Sequence, residues 1–326
     1  MAINTKAIKN RIKSVTNTKK ITKAMELVSA AKMRRSVEAV LNTRTYAAMA
    51  LDLMKHLSKI EKKPHYDLLE QRPVKNILVV LISSNRGLCG SFNSNIAKKT
   101  LLALQNKAEL AKHIVAGEED ILPEGEVEVH IIGIGKKSYA FAKRNGYNLV
   151  SVYENIIGSK SYDKIVSISK EIIEDYKKGN YDKVLVAFTD YKSSLLQEAK
   201  IKQLLPISGT DLEEMLEDLG RNTDGASKVV KEEVMEEAYS IENYIFEPSE
   251  EVVVEYVLPR LVEIQLFQSV LESSASEHSA RMMAMRNASD AARDMIDELN
   301  LTFNKARQAA ITQEIAEIAG GAATLE

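Results

Sequence analysis

The chain has 326 residues, enough for one large or two ordinary domains, and 45% of them are hydrophobic, which supports a real core. Its formal charge of −2 excludes a strong overall electrostatic bias, and its single cysteine, Cys89, excludes an internal disulfide or a thiol-pair switch. That cysteine count makes a reducing cytoplasm the expected setting; no apolar run approaches the roughly 20 residues that span a membrane, and the N-terminus shows no apolar signal core.

The even charge hides an asymmetry. Residues 1–50 hold eleven Lys and Arg against only Glu26 and Glu38, whereas residues 208–251 hold fourteen acids against Arg221, Lys228 and Lys231. From Ile3 to Ser58 there is neither Gly nor Pro. Ile8, Ile12, Val15, Thr22, Met25, Ser29, Met33, Val37, Leu41, Ala48 and Leu51 fall near a 3.5-residue repeat, which predicts a long helix with one thin seam.

Pro64 and Pro73 end this helix. The apolar run Asn76–Ser83 reads as a buried parallel strand, and the loop Arg86-Gly87-Leu88-Cys89-Gly90-Ser91-Phe92-Asn93 leads into a helix near Ser94–Lys107. Residues 117–126 read as an acidic surface loop. Further strands are expected at Val127–Ile134, Tyr147–Tyr153, Asp182–Asp190 and Ala199–Pro206, with helices at Lys136–Arg144 and Tyr162–Lys178. Strands alternating with helices predict a Rossmann-like α/β domain over 74–207. Residues 208–248 form an acidic insertion and a connecting segment.

The final stretch, 249–326, has no proline beyond Pro259 and no glycine before Gly320. Leu261, Ile264, Leu271, Ala275, Met282, Met285, Ala292, Ile296, Leu299, Phe303, Ala306 and Ala310 mark a second thin seam, apolar early and nearly smooth late, where Ala, Gln313 and Gly320 take over. Pro259 should kink or restart the helix. Two long helices with matching seams, over 1–60 and 249–326, predict an antiparallel coiled coil with everything between them folded as a body. Two ordinary helices packed on a globular core form the alternative, but neither helix has the wide apolar stripe that this requires.

Chemical motifs are sparse. Gly87-Leu88-Cys89-Gly90 lacks both nucleotide-loop spacings, and Gly133-Ile134-Gly135-Lys136-Lys137-Ser138 misses the phosphate loop because Lys137 separates Gly-Lys from Ser. His56, His65, His113, His130 and His278 show no metal-ligand spacing. Neither a nucleophile with its base nor a cofactor site can be picked out. The basic first helix lacks the interleaved aromatics of a nucleic-acid binder, and its charge suits an acidic protein surface.

Three long motifs in order carry a resemblance. They are Lys20-Ile21-Thr22-Lys23-Ala24-Met25-Glu26-Leu27-Val28-Ser29-Ala30-Ala31-Lys32-Met33-Arg34-Arg35, then Ser84-Asn85-Arg86-Gly87-Leu88-Cys89-Gly90, then Phe303-Asn304-Lys305-Ala306-Arg307-Gln308-Ala309 continuing to Ala323. With these the chain resembles the gamma subunits of bacterial F-type ATP synthases. The resemblance covers both helices and the middle domain in outline. It implies a non-catalytic central-stalk rotor that couples an ion-driven c ring to the catalytic sites of the beta subunits. The implied partners are the alpha, beta and epsilon subunits and the c ring, at the cytoplasmic face of the cell membrane.

By the same resemblance, Lys20, Lys23 and Met25 face the acidic loop of beta. Arg281, Arg307, Gln308 and Thr312 match other alpha/beta contacts, and Tyr244, Phe246 and Glu247 match the foot on the c ring. Three departures stand out: a long acidic stretch at 209–240, Ser91 where a second loop glycine is common, and no cysteine pair of the chloroplast kind. Two other readings remain open from the residues alone. One is a nucleotide-dependent enzyme on the α/β domain with a helical oligomerisation rod; the other is a static coiled-coil scaffold.

Overall fold

The computed structural model describes residues 5–58, 66–112, 125–156, 161–207, 247 and 249–323; over 43–58, 250 and 320–323 the backbone alone is described. The elements run α1 (Thr5–Ser58), β1 (Asn76–Ile82), α2 (Phe92–Gln105), α3 (Lys107–Ala111), β2 (Glu128–Ile134), α4 (Lys136–Asn145), β3 (Asn148–Tyr153), α5 (Tyr162–Lys177), β4 (Lys183–Tyr191), β5 (Gln197–Leu205) and α6 (Glu250–Ala323). Contacts divide the chain into two units, one of residues 1–31 with 281–326 and one of residues 32–280. Most of the acidic stretch, including all of 209–240, lies outside the described residues.

In the second unit a five-stranded sheet has the order β3-β2-β1-β4-β5. β1 pairs in parallel with β2 and β4, and β2 with β3. β5 returns antiparallel to β4, because only residues 192–196 join them, too few for a crossover. Successive strand residues point to opposite faces. Leu78, Val80 and Ile82 face the cluster built with α5 and the early part of α6, while Ile77, Val79 and Leu81 face Ile96, Leu104 and Phe141 of α2 and α4. Burial on both faces explains the unbroken apolar run of β1.

The entry to the sheet is clamped by charge. Asp182 Oδ1 accepts from Arg72 Nε at 2.8 Å, and its Oδ2 accepts from the backbone N–H of Lys75 and Asn76. The Arg72 guanidinium also donates to the carbonyls of Tyr176 and Tyr181 and lies 4.8 Å from the centre of the Tyr176 ring. Tyr176 Oη donates to Glu70 O at 2.9 Å, so the segment after α1 is tied to the end of α5.

α6 does not restart at Pro259, which is its tenth residue. The proline gives up one backbone hydrogen bond, but Leu258, Leu261 and Val262 around it are buried against the body, and this packing holds the helix through the gap. From Leu266 to Ser276 every α6 residue is buried.

In the first unit, the start of α1 and the end of α6 pack against each other as the expected coiled coil. Thr22 and Ser29 of α1 and Met285, Ser289, Ala292 and Ala306 of α6 are buried there. The predicted α1 seam holds as far as Val37 and then fails at Leu41, which is exposed while Ser36 and Val40 are buried. Two helical turns advance 7.2 residues, so Val40 and not Leu41 returns to the side of Met33.

Candidate functional site

Two regions could act on other molecules: the carboxyl edge of the sheet, and the surface of the paired helices. At the sheet edge, Ser83 Oγ accepts from Ser138 N at 2.8 Å and lies 3.2 Å from the Ile134 carbonyl. Lys137 N donates to Ser84 O, and Lys136 N reaches Asn85 Oδ1. The first N–H groups of α4, which a bound phosphate would need, are therefore spent on the loop after β1. Gly135 makes this closeness possible. Its φ is +94°, and a Cβ there would stand 2.1 Å from Ser83 O.

The loop after β1 is also closed on itself. Asn93 Oδ1 accepts from Ser84 N at 3.1 Å, while its Nδ2 donates to Ser84 Oγ at 2.7 Å and contacts Cys89 Sγ at 3.1 Å. Cys89 is buried behind these bonds, and Leu88 is turned outward in a left-handed conformation. The thiol is a packing group within this hydrogen-bonded turn. Among the described residues no three His, Cys, Asp or Glu side chains gather as a metal site, and no helix is long and apolar enough to cross a membrane.

The paired helices present a different chemistry. On α1, Ile21, Leu27 and Val28 are exposed beside Lys20 and Lys23. Lys23 Nζ lies 2.9 Å from Glu26 Oε2, while Lys20 is exposed and Met25 is half-buried. On α6 every side chain from Arg307 to Ala319 is exposed. The end of this helix is not smooth: Ile311, Ile315 and Ile318 lie at helical spacing on one face, with Ile318 68% exposed. The sequence reading followed the inward seam and passed over these outward positions.

Arg307, Gln308 and Thr312 are exposed on α6, with Thr312 Oγ1 donating to Gln308 O at 2.9 Å. Arg281 is buried and engaged within the chain. Glu247 is exposed, whereas Tyr244 and Phe246 lie outside the described residues.

A family model described as ATP synthase matches residues 4–325. The ATP synthase gamma chain of Geotalea uraniireducens (strain Rf4) is 38% identical over 323 residues, covering 98% of each chain. That of Legionella pneumophila (strain Corby) is 33% identical over 98% of this chain and 99% of its own. The chain belongs to the ATP synthase gamma chain family. The central-stalk rotor role expected from its motifs follows from that membership.

The fold is shared with chains of known structure at low sequence identity. A chain in the Euglena gracilis mitochondrial ATP synthase, in the assembly titled OSCP/F1/c-ring in rotational state 3, aligns with a TM-score of 0.60 at 20% identity, covering 98% of this chain and 94% of that one. A chain in the central stalk/c-ring of the Tetrahymena thermophila mitochondrial enzyme aligns with a TM-score of 0.53 at 23% identity, covering 82% of this chain and 99% of that one.

Proposed function

We propose that this chain is a rotor without a catalytic site of its own, coupling rotation of a c ring to the nucleotide sites of surrounding beta subunits. The observation that carries this reading is the change along α6, from complete burial between Leu266 and Ser276 to complete exposure from Arg307 to Ala319. A helix bare over so many residues, with three isoleucines outward, needs a sleeve supplied by other chains. Small side chains at Ala309, Ala310 and Ala316 let that sleeve pass over the helix without interlocking, since close interdigitation would act as a brake.

In this proposal Lys20, Lys23 and Met25 meet an acidic loop of beta, and Arg307, Gln308 and Thr312 make exchangeable polar contacts with alpha and beta. Arg281 offers only its edge to a partner, being mostly covered by its own chain. Tyr244, Phe246 and Glu247 rest on the c ring, with epsilon beside them. The complex lies on the cytoplasmic face of the cell membrane, and this chain meets the membrane only through its partners. Because two unlike helices have no threefold symmetry, each beta subunit meets a different face and is held in a different state as the shaft turns.

The test is reconstitution with the alpha and beta subunits of the same organism. The expected result is ATPase activity that drives rotation of a bead fixed to the α/β body, and that loses most of its rotation when residues from Arg307 onward are removed. Failure to assemble, or ATP hydrolysis by this chain alone, would overturn the proposal.

A further inference from the structure

A turn that faces water is normally built from Gly, Pro, Asn, Asp or Ser. The connection between β4 and β5, Lys192-Ser193-Ser194-Leu195-Leu196, begins in that manner and ends on two leucines. They are 76% and 61% exposed, and Leu195 is the most exposed large apolar side chain among the described residues.

The backbone of this tip is pinned. Ser193 Oγ accepts from the N–H groups of Leu195 at 3.3 Å and Leu196 at 3.1 Å, and Leu196 O accepts from Ser193 N at 3.0 Å. Gln197 Nε2 donates to the carbonyls of Ser193 and Ser194, and Ser279 Oγ of α6 donates to Ser194 O at 2.8 Å. The N–H groups that could add a strand to another sheet are spent, so the tip offers side chains alone. Side chains carried on a pinned backbone lose little freedom on binding. Beside the hairpin, Tyr191 Oη donates to Met33 Sδ of α1 at 3.9 Å. Lys32 and Arg34 adjoin Met33 in the chain and Arg35 follows; all three are exposed, and Glu38 is the one acid between residues 32 and 42.

We propose that the Leu195–Leu196 tip and this basic stretch of α1 form one docking surface, which takes an acidic segment of a partner protein with an apolar pocket rimmed by carboxylates. Charge and size select this class of occupant. A second copy would set the same cations against each other. Two leucine side chains hold fewer carbons than a single myristoyl chain, whose own grip on a bilayer is marginal. A protein pocket, in contrast, holds a fixed apolar anchor by shape, and its carboxylates answer the three cations. The surface shares no residue with the bare end of α6 that carries the rotor proposal.

The test is a photoreactive amino acid in place of Leu195, in the complex assembled with alpha, beta and epsilon, with the same group in place of Ile315 as the reference. Light is expected to join position 195 to one segment of a partner subunit with a surplus of Asp and Glu. A crosslink to a neutral or basic segment, to a second copy or to lipid, or silence at 195 while 315 reacts, would overturn the docking surface and leave the rotor reading standing. Silence at both positions strikes the two together. Leu195→Ser combined with Leu196→Ser gives an independent sign. Tm should hold, because these side chains are uncovered, while affinity for the crosslinked subunit falls about tenfold. An unchanged affinity also overturns the proposal.

Discussion

The last helix is a core element at one end and a bare surface at the other. Between Leu258 and Ser279 it is enclosed by the sheet, α5 and α1, with Leu266 and Leu271 fully buried. From Arg307 to Ala319 no side chain is buried. The difference teaches that one uninterrupted helix carries both a stretch held by the chain's own core and a stretch left bare for the proposed contacts. The chain's own fold fixes the first stretch, and it leaves the side chains of the second uncovered.

The strongest way to break this comparison is to cut into the enclosed stretch. Leu271→Ala should cost about 3 kcal/mol of unfolding free energy, measured by denaturant titration, because the close-packed site cannot collapse around the cavity. A loss below about 1 kcal/mol would mean that the enclosure is loose. Asp182→Ala should cost about 2–3 kcal/mol by the same measurement, since it removes the acceptor of Arg72 Nε and of the backbone N–H groups of Lys75 and Asn76.

Tyr176→Phe sharpens the comparison more gently. It removes one hydrogen bond to Glu70 O, for a loss of about 1 kcal/mol at neutral pH. Burial pushes the Tyr176 hydroxyl well above its ordinary value of 10.0, so the folded chain keeps this proton longer than the unfolded chain does. The associated stability is complete below pH 10 and is lost as the pH climbs beyond it. The Phe variant should therefore lose less stability than the parent between neutral and strongly alkaline pH. Equal alkaline losses would show that another group controls that limb.

The smallest effect on stability belongs to the exposed end. Ile315→Ser should change the unfolding free energy by less than about 0.5 kcal/mol. In the assembled complex the same substitution should weaken retention of the chain by alpha and beta in a pull-down at moderate salt. A stability loss as large as that of Leu271→Ala would erase the distinction between the two stretches.

Much of the architecture was legible because period and composition agreed. The Gly-free and Pro-free first helix, the apolar run of β1 and the glycine punctuation of the middle domain each had one reading. The continuity of the helix through Pro259 was not legible because local propensity cannot register the packing of Leu258 and Val262. Leu41 misled because steps of four residues overshoot the helical turn. The buried Gln268, Glu272 and Ser273 were invisible for a different reason: polar residues between seam positions look like a solvated face unless one knows that the body closes over them. Their only trace was the run Ser273-Ser274-Ala275-Ser276, small enough to admit close neighbours on all sides. The Arg72–Asp182 clamp joins residues 110 positions apart, a pairing that no local pattern encodes.

The burial of Cys89 has a practical consequence. The only sulfhydryl of the chain stands behind Asn93 and Ser84, so a maleimide cannot reach it while the turn is shut. Its alkylation rate is then a stopwatch for the opening of that turn, read from the native protein without engineering. A dye placed there reports fluctuation of the turn, and a probe of rotation needs a different anchor.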